Sequence, residues 1–482
     1  MKLYEKLATK LEEQIRSGIF LPGDRIPSVR QTSQQHQLSI KTVLHAYLLL
    51  ESKGVVQSRP KSGYFVHPEC VTGQTPAHEL RAAKPIAVSA QVDVSRLVLS
   101  TLRSIHNDAI PLGSPYPDPS LFPVQKIDAY GATIGRRNAP WGAADELPPG
   151  NPELIRQIAK RYAENGQAVD PNEIIVTIGA TEAINLCLQA VAKPGDTIAV
   201  ESPTFYAMLH AIERMGLRAI EVPTHAKKGI DLVALARIFK QERVAACMVM
   251  PNFQNPLGFR MSETNMQRLV DLSARHAVPL IESAVYNELY FGDLRPTSLK
   301  ALDKHGLVLH CSSFSKSLTT GHHIGWAIPG RFRDQVEKLK FLNTLTTPSI
   351  AQKAIAEYLN HERYEHHLRR LRKTYEQNAN LMRTTIERYF PEGTRTSHPM
   401  GGYVLWVELP PQVDSLTLYE RALERQITLG PGYMFSTSNA YGNCIRLNYS
   451  YAWSTAIENA LITLGELTAH LQHAQEPRRR IP

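Results

Sequence analysis

The sequence predicts a multidomain protein. Three short helices and a two-stranded hairpin lead into a large α/β domain with a mainly parallel sheet, which ends in a smaller α+β part. Three observations predict this. Apolar residues recur at helical spacing over the first fifty residues and switch to alternation near residue 55. From about residue 110, short apolar runs alternate with helical patterns, which points to a parallel sheet. From Leu381 to Leu471 the order becomes strand, helix, strand, helix, which suits a separate α+β layer.

Each element has a local reason. Leu3, Leu7, Leu11 and Ile15 share one face of a first helix, which Gly18 and Pro22-Gly23 end. Ser28 caps a second helix, with Val29 as an apolar contact. The third helix runs from about Ile40 to Lys53, offers Val43, Leu44, Tyr47, Leu48 and Leu50 for packing, and is closed by Gly54. Val55-Val56 and Tyr64-Phe65-Val66 flank a turn at Pro60-Lys61-Ser62-Gly63. Three helices and a hairpin make a winged helix-turn-helix over residues 1–66. Residues 67–108 read as a linker, with a short helix near Val92. The α/β domain covers residues 109–472, with strands at Ile174–Val176, Thr197–Val200, Ala246–Met250, Pro279–Ile281 and Leu307–His310. Its last part holds strand Tyr403–Val407, helix Ser415–Arg425, strand Ile445–Tyr449 and a terminal helix. Residues 473–482 form a basic tail.

Composition excludes several classes. The five cysteines (Cys70, Cys187, Cys247, Cys311, Cys444) form no C-x-x-C pair, so neither a disulfide framework nor a metal site is expected, and a reducing cytoplasm fits. The N-terminus is charged where a signal peptide needs an apolar core. No apolar run reaches membrane-spanning length, so no membrane association is expected. The net charge is +9, which alone says little about partners.

The charge is unevenly placed, however. Residues 1–66 hold ten basic residues (Lys2, Lys6, Lys10, Arg16, Arg25, Arg30, Lys41, Lys53, Arg59, Lys61) and five acidic ones (Glu5, Glu12, Glu13, Asp24, Glu51). More than half of the excess therefore sits in one seventh of the chain, where it attracts phosphate and releases counterions. Ser39 and Thr42 flank Lys41 at the start of the third helix, a place suited to a phosphate, with a long cation that reaches a base edge. Arg30 on the preceding helix reaches a phosphate or a base. The alternative is a winged helix used only for protein contacts.

A second set of residues surrounds Lys316. It stands in Ser312-Ser313-Phe314-Ser315-Lys316-Ser317, entered from Leu307-Val308-Leu309. A strand-end amine suits capture of an aldehyde, and nearby serines suit a phosphate. On its own such a lysine reads equally as a solvated loop residue. Gly179-Ala180-Thr181 follows a strand and opens a helix, where small residues let N–H groups approach an anion. Phe205 follows another strand; packing is its ordinary role. Asn255 and Tyr286 follow two more and suit a phenolic oxygen. Arg446, inside the apolar Cys444-Ile445-Arg446-Leu447, needs an anionic partner.

The N-terminal pattern resembles the GntR family. It does so at Leu21-Pro22-Gly23-Asp24-Arg25-Ile26-Pro27-Ser28-Val29-Arg30, Leu38-Ser39-Ile40-Lys41-Thr42-Val43, Ala46-Tyr47, Leu50-Glu51 and Ser62-Gly63-Tyr64-Phe65-Val66. Residues 110–470 resemble the type I aminotransferase fold. The matching pieces are Gly179-Ala180-Thr181-Glu182-Ala183, Asn255-Pro256-Leu257-Gly258, Ser313-Phe314-Ser315-Lys316, Gly401-Gly402-Tyr403, Pro431-Gly432-Tyr433 and Arg446. Together they resemble the MocR subfamily of transcription regulators. The resemblance implies a double-stranded DNA operator contacted by Arg30, Ser39, Lys41 and Thr42, with Gly63 at the wing tip. It implies pyridoxal 5′-phosphate (PLP) on the Schiff-base lysine Lys316. Gly179, Ala180, Thr181 and Ser313 then hold the phosphate, Phe205 stacks on the ring, and Asn255 and Tyr286 bind its phenolic oxygen. Arg446 binds the carboxylate of a substrate or effector. A homodimer that reads two half-sites is also implied.

Two positions depart from the family pattern. Where the family has Glu-Asp, with the Asp on the pyridinium nitrogen, this chain has Glu282-Ser283. A serine does not hold that nitrogen protonated as a carboxylate does. Where the family has a phosphate-clamping arginine seven residues after the lysine, this chain has His323. The expectation is a transcription regulator that senses PLP or an amino compound and has weak or vestigial transaminase activity. The alternatives are a working aminotransferase with an appended DNA-binding domain and a regulator that has lost PLP.

Overall fold

The computed structural model describes residues 3–16, 20, 23–59, 62–67, 89–91, 98–99, 109–137, 146–293, 295–438 and 440–474. The chain divides into two compact units, Met1–Glu79 and Leu80–Pro482. The expected breakers Gly18 and Pro22, the turn residues Pro60 and Lys61, the short helix near Val92, most of the linker and most of the basic tail lie outside the described residues.

In the first unit, helices α1 (Leu3–Arg16), α2 (Val29–His36) and α3 (Ile40–Ser52) pack around one core, closed by the antiparallel hairpin of β1 (Val56–Arg59) and β2 (Gly63–Val66). Leu7, Leu11 and Ile15 bury the face of α1, while Leu3, in its first turn, stays exposed. Ser28 and Gln31 form a reciprocal capping box at α2. Tyr47 ties the core together. It is fully buried, and its hydroxyl bonds Pro27 O (2.7 Å) and Thr32 Oγ1 (2.6 Å). One sequence expectation is corrected here. Leu44 and Leu48 do not pack: they are 39% and 47% exposed, and the core takes Val43, Ala46, Tyr47 and Leu50 instead. The helix presents two apolar stripes, and only one meets α1 and α2.

The second unit is built on a nine-stranded sheet. Its strands are β3 (Ala90–Gln91), β4 (Ile175–Ile178), β5 (Thr197–Ser202), β6 (Arg218–His225), β7 (Gly229–Ile230), β8 (Val244–Val249), β9 (Leu280–Ser283), β10 (Val308–Ser313) and β11 (Ile324–Ile328). The order is β3-β6-β5-β8-β9-β10-β11-β4, with β7 paired to β6. Neighbours from β6 to β10 run parallel, and β11 runs antiparallel between β10 and β4. Helices on both faces cover near-continuous apolar strands such as Val-Ala-Ala-Cys-Met-Val of β8. A four-stranded antiparallel sheet follows, ordered β12-β13-β15-β14, from β12 (Arg395–Thr396), β13 (Val404–Glu408), β14 (Gly430–Pro431) and β15 (Cys444–Asn448). Helices Tyr364–Tyr389 and Thr455–Ala474 pack against each other in this part. No helix among the described residues is long and apolar enough to cross a membrane.

Glu282 and Ser283 lie within β9 rather than beyond it, so they project to opposite faces. Glu282 is absorbed structurally. It accepts from the N–H groups of Leu299 (2.9 Å) and Lys300 (3.2 Å) and from His310 Nδ1 (2.7 Å). A buried relay continues from His310 Nε2 to the Tyr162 hydroxyl (2.7 Å), which accepts from Trp326 Nε1 (3.0 Å). This ties β9, β10 and β11 together and leaves Ser283 on the other face.

Candidate functional site

The C-terminal ends of β4, β5, β8, β9 and β10 point the same way, and the loops after them carry the sequence-marked residues. A crevice outside these strand ends is where open α/β sheets bind ligands. Lys316 sits in a tight turn (Phe314–Lys316) directly after β10. The ring of Phe314 packs on Trp326 at 4.8 Å. Ser317 Oγ accepts from the Tyr364 hydroxyl (2.8 Å), and Ser317 O accepts from His367 Nε2 (2.9 Å). Burial pushes His367 down to about 4, so it is a neutral donor.

The Lys316 amine donates to Pro115 O (3.0 Å) and lies 5.1 Å from the centre of the Tyr116 ring. Burial, and secondarily the charge of Arg446, pull it down to about 8. A lysine near neutrality is a usable nucleophile, whereas a solvated one is almost wholly protonated. The loop reading of Lys316 does not fit this environment.

Arg446 is fully buried on β15, opposite Trp406 and Gly430. Nη2 donates to Gly113 O, while Nε and Nη1 have no partner. A buried cation with two idle donors costs several kcal/mol unless an anion arrives (~3–5 kcal/mol for an uncompensated charge). Asn255 Nδ2 donates to the Tyr286 hydroxyl (3.2 Å), and Asn255 Oδ1 is buried without a partner. Burial raises Tyr286, so its phenol stays protonated.

Helix Gly179–Val191 starts at the end of β4 with no side-chain cap. Its first N–H groups, at Gly179, Ala180 and Thr181, are therefore available to an anion. Gly179 has φ +69°, and the space beside it is bounded by His323. Gly325 closes the other side: a Cβ there would lie 2.5 Å from Gly179 C, 2.7 Å from Ser312 O and 2.8 Å from Ala180 N. Ser313 is buried at the end of β10, paired with Gly325. His323 is exposed at φ +49°. Ser283 is buried, in register with Cys311, whose Sγ is 3.6 Å from Cys187 of helix Gly179–Val191. Phe205 ends the loop after β5 and packs on Tyr206 at 4.4 Å.

Four parts of this site had no role assigned to them from sequence. Segment 112–116 lies along the small sheet: Asn448 N donates to Leu112 O (2.7 Å), and Asn448 Nδ2 donates to Ser114 O (2.9 Å) and Tyr116 O (2.8 Å). Tyr403 donates to Pro115 O (2.8 Å), Tyr206 lies beside Arg446, and Gly325 bounds the helix start. Tyr403 stood inside the matching piece Gly401-Gly402-Tyr403, Gly325 follows the Lys316 stretch and Tyr206 follows Phe205; segment 112–116 carried no signal.

In the first unit, Ser39 caps α3 by accepting from Thr42 N (3.1 Å) and lies 2.8 Å from Thr42 Oγ1. Lys41 and Arg30 are exposed and make no ion pair among the described residues. Gly63, at φ +102°, lies against the Arg25 guanidinium. Ile40, Leu44 and Leu48, four residues apart, form an exposed apolar stripe on the same helix as Lys41. Such a stripe suits thymine methyl groups in a major groove.

A winged helix-turn-helix joined to an aminotransferase-like domain with a strand-end lysine defines the MocR class of DNA-binding transcription regulators. The chain belongs to the aminotransferase class I and II family, whose model matches residues 146–461, and residues 3–66 match the model of the gntR family of bacterial regulatory proteins. It is 42% identical to the HTH-type transcriptional regulator YdcR of Escherichia coli K12, over 97% of this chain and 99% of that one. It is 35% identical to YjiR of the same strain, over 97% and 98%. Among solved structures it is similar to LysN, the alpha-aminoadipate aminotransferase of Thermus thermophilus, in complex with N-(5′-phosphopyridoxyl)-L-leucine. The TM-score is 0.72 at 27% identity, covering 78% of this chain and 95% of that one.

Proposed function

We propose that this protein is a homodimeric regulator that binds an operator through its first unit and PLP through Lys316, and that it senses PLP or an amino-compound effector. One observation carries the reading. Around a lysine drawn down to about 8, the buried polar atoms Asn255 Oδ1, Arg446 Nε and Arg446 Nη1 have no partners, and an uncapped helix start lies beside Gly325. This is a polar site shaped for a ligand that carries a phosphate and a carbonyl. The phosphopyridoxyl ligand of LysN is the same chemistry in a similar fold.

The residues fit PLP. Gly179, Ala180, Thr181 and Ser313 would hold its phosphate, Phe205 would cover its ring, and Asn255 and Tyr286 would take its phenolic oxygen. When bound, PLP supplies an aldehyde that captures amines and a pyridine ring that draws electrons from them. Lys316 supplies the amine. Arg446 orients an effector carboxylate; until one arrives, Gly113 O accepts from Arg446 and Pro115 O from Lys316. Ser283 presents a neutral hydroxyl to the ring nitrogen, which favours sensing over turnover.

Two measurements test this. Ser283→Asp with His323→Arg should tighten PLP by about tenfold or more in a visible-light titration, because each restores a charge-assisted contact. Unchanged affinity would mean that neither position faces the cofactor. In the DNA-binding unit, Arg30→Ala and Lys41→Ala should each weaken binding to a duplex obtained by in vitro selection by roughly tenfold and lower the salt slope by about one. If neither does so, α3 and its neighbour are not the DNA-reading surface.

A further inference from the structure

Tyr206 is 3% exposed, yet its hydroxyl proton has no acceptor. Its place in the fold says what is missing. The ring leans on Phe435 at 5.9 Å, and the Arg446 guanidinium lies over the same Phe435 ring at 5.6 Å. The backbone holds this arrangement, since Thr204 N donates to Phe435 O (2.9 Å) just before Tyr206. Besides burial, the hydroxyl feels the charge of Arg446, whose guanidinium donates toward the phenol oxygen, and more weakly Tyr286 and Tyr116. Tyr206 and Arg446 thus share the Phe435 ring at the edge of the Lys316 site.

A phenol proton without an acceptor then stands beside a guanidinium. A guanidinium has no acceptor, so Arg446 cannot satisfy the Tyr206 O–H. One arm of the Arg446 fork already donates to Gly113 O, and Nη1 is left free. Burial pushes the phenol up to about 12, so at neutral pH it remains a donor. A group with two acceptor oxygens completes both: one oxygen on Arg446 Nη1, the other on the Tyr206 hydroxyl.

We propose that Tyr206 is a second anchoring residue for the ligand carboxylate. It takes the place of the fork arm that Gly113 holds, and it makes the effector class amino acids with a free carboxylate rather than simple amines. This rests on the reading of the Lys316 pocket as a PLP site.

The test uses the full-length protein and two probes that differ only in the carboxylate, N-(5′-phosphopyridoxyl)-L-leucine and N-(5′-phosphopyridoxyl)-3-methylbutylamine. Calorimetry gives each Kd. The wild type should prefer the leucine adduct by about 100-fold or more, and Tyr206→Phe should reduce that preference about tenfold while leaving the amine adduct unchanged. The melting temperature of the ligand-free variant should be equal or higher, since the change removes an unsatisfied buried hydroxyl without altering shape. Tyr206→Leu should show the same loss of preference if the Phe variant is poorly soluble. Three outcomes overturn the proposal. Equal weakening of both adducts would show a packing role. An unchanged preference in Tyr206→Phe, with collapse in Arg446→Gln, would leave the pocket reading standing without Tyr206. A wild type that binds neither adduct would remove both.

Discussion

Lys316→Ala should abolish covalent retention of PLP: after borohydride treatment, mass spectrometry should find the modification on the wild type and none on the variant. Overall affinity should fall by at least about 100-fold, the scale on which losing a covalent link to a buried ligand registers. Selective loss is the informative part. Affinity for a selected duplex, measured without cofactor, should stay within about twofold, since ordinary surface or single-site changes remain local when two cores are separate. A lysine elsewhere that carries the modification would sink the assignment. The wild type also makes a pH prediction. Its Lys316 amine is held down to about 8 by burial and by Arg446. The neutral, nucleophilic fraction therefore rises as pH passes through about 8. Capture of PLP should accelerate between about pH 6.5 and 8.5 and level off above, whereas an ordinary lysine would go on gaining to beyond about 10. A rate that climbs steadily past about pH 10 would contradict the burial argument.

Gly325→Ala should damage both the fold and the Lys316 site. The added Cβ would lie 2.5, 2.7 and 2.8 Å from backbone atoms of Gly179, Ser312 and Ala180, and backbone cannot turn aside as a flexible side chain can. Relief requires β11 to move away from the start of helix Gly179–Val191. Overpacking of this kind costs about 1–3 kcal/mol. Here it also displaces the N–H groups assigned to the phosphate, so PLP affinity should drop by roughly 100-fold, with a melting temperature several degrees lower. Gly321→Ala is the matched control. It lies four residues earlier, has open space around its Cβ position, and should change neither quantity. If the two variants behave alike, the close approach at Gly325 does not organise the site.

Local chemistry determined a good deal here. The capping serine Ser28, the four-residue spacing in α1 and the alternating strands specified the winged helix-turn-helix, because each depends only on neighbours a few residues away. Alternating strand and helix patterns determined the α/β class, and a lysine among serines marked one strand end. Tertiary structure decided what those elements face. Apolar residues on both sides of α3 read alike in sequence, and only packing against α1 and α2 separates buried Val43 and Leu50 from exposed Leu44 and Leu48. The pair Glu282-Ser283 reads as one motif, but alternation along β9 sends Glu282 to the His310 relay and Ser283 to the opposite face. Above all, Gly113, Tyr206, Lys316, Tyr403 and Arg446 converge from segments up to hundreds of residues apart. Their meeting depends on the strand order β5-β8-β9-β10 and on segment 112–116 running along the small sheet, neither of which a local period encodes. The sequence by itself determined which chemistry the chain carries; sheet order determined which side chains share it.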